Sequence, residues 1–215
     1  MTAEEISHAI YHVPENADYA VESTELDPED IEPGRVEILK AIIANDIDDP
    51  ENNYLHFAAA RVLCCWGYRC GFDVISKYIF REDLMEGPGE TSHRLHGYNT
   101  GYEYAYDAVW SYGSNLIDKG LEEEEVRKLI YSPIIKIIEY SNLKRFKLSL
   151  LFRFLDRVKY KEYYPHIKSH LLAIIDNPEF HHHKIFDALE FLQGVDPDFV
   201  ASVLKPRGKT IADYK

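Results

Sequence analysis

The chain of 215 residues is long enough for one domain or two small ones around a sizeable core, and its 46% hydrophobic and 13% aromatic content excludes a disordered composition. Its formal net charge of −13 is unevenly placed: residues 1–51 hold fifteen Asp/Glu against two Lys/Arg, whereas residues 52–215 hold 22 of each. That balance opposes nucleic-acid binding, which needs a positive surface to release counterions. No apolar run approaches the ~18 residues of a membrane span.

The opening "MTAEEISHAI" has no basic region followed by an apolar stretch, so no signal peptide is expected and a cytoplasmic setting is. Residues 1–33 read as an acidic N-terminal segment. Within "PENADYAVESTELDPEDIEPG" (14–34) there is no Lys or Arg, and Glu22, Glu25, Asp27, Glu29, Asp30 and Glu32 form a candidate anionic surface that would steer a basic partner. The plainer alternative is a solubilising tail whose acids, such as Glu29 and Asp30 after Pro28, favour helix starts.

Residues 34–205 read as a helical domain. Apolar residues at i, i+3, i+4 and i+7 predict helices over 35–43, 54–66, 71–80, 103–117, 126–140, 146–158, 163–175 and 180–193, with a short one over 197–204. No period-2 alternation bounded by hairpin turns appears, so the expected class is all-α. Asp27-Pro28, Asp49-Pro50, Ser132-Pro133, Asn177-Pro178 and Asp196-Pro197 each place a capping side chain before a proline, a helix-start signal. Ser132-Pro133 is equally compatible with a kink inside one long helix. Gly67, Gly113, Gly120 and Gly194 follow apolar runs and suit the left-handed residue after a helix. "EEEE" at 122–125 opens a helix and compensates its dipole. Residues 206–215 form a C-terminal tail.

One stretch interrupts the array: "MEGPGETSHRLHGYNTGYEY" (85–104), glycine-rich and longer than ordinary helix connections. Its His93, Arg94, Tyr98, Tyr102 and Tyr104 are candidate partner contacts. Cys64, Cys65 and Cys70 lie in one apolar segment and read as small buried hydrophobes, not a disulfide or zinc set.

The histidines in "NPEFHHHKIF" (177–186) raise the question of a metal. Three consecutive helical residues sweep about 200° of surface, so at most two of His181, His182 and His183 could share an ion. His166 and His170 are spaced i, i+4. In an antiparallel helix pair His170 would approach His183, with Asp176, Glu179 or Asp187 as the nearest carboxylates. The favoured reading is partly exposed histidines at an Asn-Pro helix start, with no metal and no cofactor. No G-x-S-x-G, P-loop, G-x-G-x-x-G or H-E-x-x-H occurs, so no catalytic residue is assigned.

"YLHFAAARVLCCWGYRCGFDVISKYI", with its AAA stretch, its "WG" turn and the second helix "FDVISKYI", resembles a HEAT-type repeat. "HKIFDALEFLQGVDPDFVASVL", with "ALEFLQGVDPD" as its inter-helix turn, resembles another. Similar helix ends at Gly67, Gly113, Asp156 and Gly194 fall 46, 43 and 38 residues apart, near the period of such repeats. The resemblance covers roughly 53–205 and implies a HEAT-like α-solenoid of about eight or nine antiparallel helices. "RVKYKEYYP" departs from it, lacking the turn glycine; an irregular helical bundle is the alternative. HEAT proteins of the deoxyhypusine hydroxylase type hold iron with His-Glu dipeptides, and no histidine here precedes a glutamate. HEAT-like DNA glycosylases use a basic concave face. Residues 136–170 lean basic, with nine Lys/Arg against three acids, but the overall charge opposes that use.

A small acidic HEAT-like chain without catalytic residues resembles the immunity proteins of bacterial toxin systems. The resemblance implies a non-catalytic, protein-binding module that neutralises a basic toxin domain, such as a nuclease, with acids 22–32 mimicking phosphate charge and Tyr98, Tyr102 and Tyr104 as anchors. The rivals are an adaptor in a larger assembly and a metal-dependent enzyme at the histidines.

Overall fold

The computed structural model describes residues 1–45, 47, 53–85 and 99–215. Among these the structure is all-helical, with no β-strand. Eleven α-helices follow one another: α1 Ala3–Tyr11, α2 Pro33–Ile43, α3 Asn53–Cys65, α4 Arg69–Phe80, α5 Glu82–Met85, α6 Gly101–Asp118, α7 Glu123–Tyr140, α8 Ser149–Val158, α9 Tyr164–Ile174, α10 Pro178–Val195 and α11 Pro197–Leu204. Nine correspond to the helices expected from the apolar period, and α1 and the four-residue α5 are additional.

Helix α1 begins in a capping box. Thr2 Oγ1 accepts from the Glu5 amide at 3.2 Å while the Glu5 carboxylate accepts from the Thr2 amide at 2.7 Å, satisfying two otherwise orphaned N–H groups. Ile6, Ala9 and Ile10, spaced i, i+3, i+4, then face the interior.

The chain forms two compact units, Met1–Thr91 with Tyr104–Ile134, and Ser92–Glu103 with Ile135–Lys215. This differs from one array over 34–205 flanked by an acidic segment and a tail. Residues 1–33 are folded into the first unit, where Ala9, Ile10, Ala17 and Leu26 join the core with α2 and α3. Residues 206–215 also pack: the turn Ile211–Tyr214 lies against α10 and buries Tyr214.

In the first unit α1 packs on α2, α2 on α3, and α3 on α4. The α3–α4 crossing is close because α4 presents Gly71: a Cβ there would sit 2.4 Å from the Cys64 amide nitrogen and 2.8 Å from the Ala60 carbonyl oxygen. Cys64 and Cys65 are buried and Cys70 half-buried, and all three are free thiols. Burial pushes the Cys64 thiol well up and that of Cys65 to about 12, so neither supplies a thiolate nucleophile near neutral pH. In the second unit α10 is central. Its Ile185, Ala188, Leu189 and Leu192 are buried, and it packs against α8, α9 and α11.

The punctuation is used more selectively than the sequence predicts. Gly67 (φ 80°) and Gly120 (φ 89°) take the left-handed conformation after α3 and α7's predecessor α6. Gly113 and Gly194 instead lie inside α6 and α10. At Gly113 a Cβ would come within 3.3 Å of Val126 and Ile130, so close packing accounts for that glycine. Where "RVKYKEYYP" lacks a glycine, Lys159 itself adopts φ 57° to end α8. Pro133 sits within α7, so Ser132-Pro133 does not start a helix. Asp196 caps α11 by accepting from the Phe199 amide at 3.0 Å, whereas the side chains of Asn177 and Asp27 make no cap hydrogen bond. Asp49-Pro50 lies outside the described residues.

Two glycine substitutions test the packing account in opposite directions. Gly71→Ala forces α3 and α4 apart and should cost about 1–3 kcal/mol of stability. Gly194→Ala meets nothing within 4 Å and should stabilise by roughly 0.5–1 kcal/mol through a lower unfolded-state entropy. Urea denaturation midpoints of the two variants check both signs.

Candidate functional site

The first unit contains a groove of roughly 330 Å³ formed where α1, the segment 21–24, α3 and the start of α6 meet. At its centre Arg61 of α3 donates from Nη2 to Glu22 Oε2 at 2.8 Å and lies 4.2 Å above the Tyr104 ring. Arg61 also faces Asp107, whose carboxyl is raised above the usual range by burial, with Arg61 opposing that shift and Glu22 and Glu25 adding to it. The Arg61 guanidinium is thus paired with Glu22 within the groove and shares its field with Asp107. Its rim is unusually apolar for a surface: Tyr11 is 51%, Tyr54 42% and Val21 86% exposed. The Tyr11 and Tyr54 hydroxyls are joined at 2.9 Å.

The structure brings two predicted contacts, Glu22 and Tyr104, into this groove, 82 positions apart in sequence. The other acids lie along the same folded segment. Asp30 accepts from Asn16 Nδ2 and Tyr19 Oη, each at 2.7 Å. Glu25 Oε2 accepts from the Val21 amide at 2.6 Å and the Glu22 amide at 3.1 Å. Glu32 lies 3.2 Å from His8 Nε2. Asp27 and Glu29 are exposed. Asp30 and Glu25 are thus held by neutral donors.

Tyr102 requires a correction. It is fully buried in the second unit, stacked on Phe146 at 4.7 Å and tilted against Tyr140 at 5.5 Å, and cannot serve as a surface anchor. His93, Arg94 and Tyr98 lie outside the described residues. Arg61, Tyr11, Tyr54 and Val21 were not singled out from sequence. The available signal for Arg61 was a lone base within "FAAARVLCCW".

The histidine cluster also folds differently from expectation. His181 is buried, with His182 and His183 exposed. His170 is fully buried, its Nδ1 2.6 Å from Asn142 Oδ1 and 3.1 Å from Ser141 Oγ, and its titratable neighbours are Lys184 and His181, not His183. Lys184, reaching up from α10, donates to the carbonyl of Ser141 and, at 2.6 Å, to that of Lys144, closing the turn after α7. Burial, then Lys184, then His181 bring His170 down to about 3; burial, then Lys184 and Arg145, bring His181 to about 4; burial and Arg145 bring Lys184 to about 7. Neutral histidines under a lysine are the stable state, which makes this cluster a structural one.

Among the described residues, one group of three side chains has the ligand types and closeness to hold a metal ion, and it lies elsewhere, at His8, His12 and Glu32. No helix among them is long and apolar enough to cross a membrane. No protein-family model, curated protein or solved structure matches the chain.

The buried histidines set the acid response. The native state excludes a proton from His170 that the unfolded chain binds below about 6.5, so its contribution is complete above that pH and is lost as pH falls towards about 3. His181 acts in the same direction. At pH 5 the His170 contribution alone lowers stability by about 2 kcal/mol. Chemical denaturation followed from pH 7 to 5 should show this fall, and His170→Asn should remove about 1.4 kcal/mol per pH unit from the slope below 6.5.

Proposed function

We propose that the chain is a non-catalytic protein-binding module of the HEAT-like, immunity-protein kind, which captures a basic protein partner on the tyrosine-lined groove of its first unit and the acidic segment 22–32 that enters it. The observation that carries this is the coincidence of exposed Tyr11, Val21 and Tyr54 with the folded acidic segment 22–32, which enters the groove at Glu22. Aromatic residues on a surface are the usual anchors of protein contacts, and a segment of like charge selects partners of opposite sign and speeds their encounter. The sequential packing of α1 on α2, α2 on α3 and α3 on α4 is what a HEAT-like array requires and supports that part of the reading. In such a complex Glu22, Asp27 and Glu29 stand in for the phosphates of a nucleic acid before a cationic cleft, and Tyr54 and Tyr104 supply the apolar contact.

The partner to test is a basic protein encoded beside this chain. Its expression alone should arrest growth, and co-expression should restore it; a partner that is innocuous alone would favour an adaptor role. Affinity should weaken several-fold as salt rises from roughly 0.05 to 0.5 M. A combined Glu22→Gln, Asp27→Asn, Glu29→Gln variant should associate at least about tenfold more slowly, measured by surface plasmon resonance. Tyr54→Ala should act on dissociation, at a cost of more than about 1 kcal/mol. Association and salt dependence unchanged in the triple variant would remove the charge mechanism.

A further inference from the structure

We propose that His8, His12 and Glu32 form a binding site for a divalent transition-metal ion, Zn²⁺ being the reference ligand. His8 in the last turn of α1 and His12 at its C-cap are four residues apart, a spacing that sets both rings on the same side. The amide of His12, which is the C-terminal cap, donates to the His8 carbonyl at 3.1 Å, so the last hydrogen bond of the helix fixes their register. The rings stack with centroids 4.2 Å apart and planes 19° from parallel. From 24 residues away Glu32 brings Oε2 to 3.2 Å from His8 Nε2, and one ligand atom from each of the three residues lies within 4.8 Å of the others. Glu32 is itself placed by the chain: it precedes Pro33, which restricts its backbone to the extended conformation observed at φ −63°, ψ 125°.

The chemistry of this donor set selects the ion. Two imidazole nitrogens favour Zn²⁺, Ni²⁺, Co²⁺ or Cu²⁺ over Mg²⁺ and Ca²⁺, which prefer all-oxygen ligands. The surroundings favour any cation, since the site lies at the carbonyl end of α1 and within the acidic quarter of the chain. The side chains of His8 and Glu32 are 44% and 52% exposed, so solvent has access and three protein ligands leave at least one coordination position open. A bound ion would tie the end of α1 to the start of α2. This site is independent of the groove reading, because none of its three ligands lines that groove.

The untagged full chain, stripped with chelator, is titrated with ZnCl₂ and separately with MgCl₂ by isothermal calorimetry. The expected result is one Zn²⁺ per chain and no heat from Mg²⁺. His12→Gln and Glu32→Gln, each shown to be folded by circular dichroism, should each weaken Zn²⁺ binding at least about tenfold. The double variant His182→Gln, His183→Gln, which alters the other exposed histidines, should bind as the parent does. Co²⁺ should give the visible absorption of a low-coordinate nitrogen and oxygen site, lost in His12→Gln. Absence of Zn²⁺ binding, or binding that survives in His12→Gln and Glu32→Gln but is lost in the His182/His183 variant, overturns the proposal.

Discussion

The guanidinium of Arg35 is the interaction on which the first unit depends. It is 1% exposed in the most acidic part of the chain, and burial depresses its pKa against the opposing pull of Glu32. Its Nε and Nη2 both donate to the Ala9 carbonyl, at 3.3 and 3.1 Å, satisfying an acceptor that the end of α1 would otherwise leave open. Its other side lies 5.1 Å over the Trp66 ring, and the Trp66 indole N–H donates to the Ser23 carbonyl at 2.7 Å. Ser23 Oγ in turn donates to the Ile10 carbonyl. One cation thus links α1, the turn at 23–25, α2 and the residue after α3. The segment carrying Glu22 and Thr24 into the groove is the same one that this network holds.

That arrangement explains why so acidic a stretch folds at all. Its carboxylates repel one another, and a chain of this composition without burial would remain extended. Ala9, Ile10, Ala17 and Leu26 supply apolar area, but small residues supply little of it. The buried hydrogen bonds of Arg35, Trp66 and Ser23 select one arrangement for the segment. The second unit uses a comparable device with fewer charges: Lys184 closes the turn after α7 while His170 and His181 stay neutral beside it.

Much of the architecture was legible because apolar spacing is a local property. Nine helices could be placed from it, and so could two of the four glycines expected to be left-handed, those that follow α3 and α6. Helix α1 was hidden by its acids, although Thr2 and Glu5 carried the capping-box signal. Tyr102 and Tyr104 were grouped together, yet two residues on a helix differ by about 200° in direction, so one can be buried while the other lines a groove. The period of α6, with Tyr102, Ala105, Tyr106 and Val109 all buried, contained that information. What was not legible is long-range. Arg61 meets Glu22 across 39 positions, and Lys184 meets Ser141 across 43. The expected approach of His170 to His183 failed for the same reason, since helix-pair register depends on packing depth and not on spacing within either helix.

The hydrogen bonds to Asp30 and Glu25 have a kinetic meaning as well as a structural one. Asn16, Tyr19 and two backbone amides hold these carboxylates without neutralising them. Free acidic side chains would have to give up rotamer freedom, about 0.5–1.5 kcal/mol each, on meeting a partner. Here that ordering is completed when the chain folds. In the proposed complex these carboxylates would need little reordering, so such a surface would be fast to engage and also exacting about the spacing of the cations it accepts.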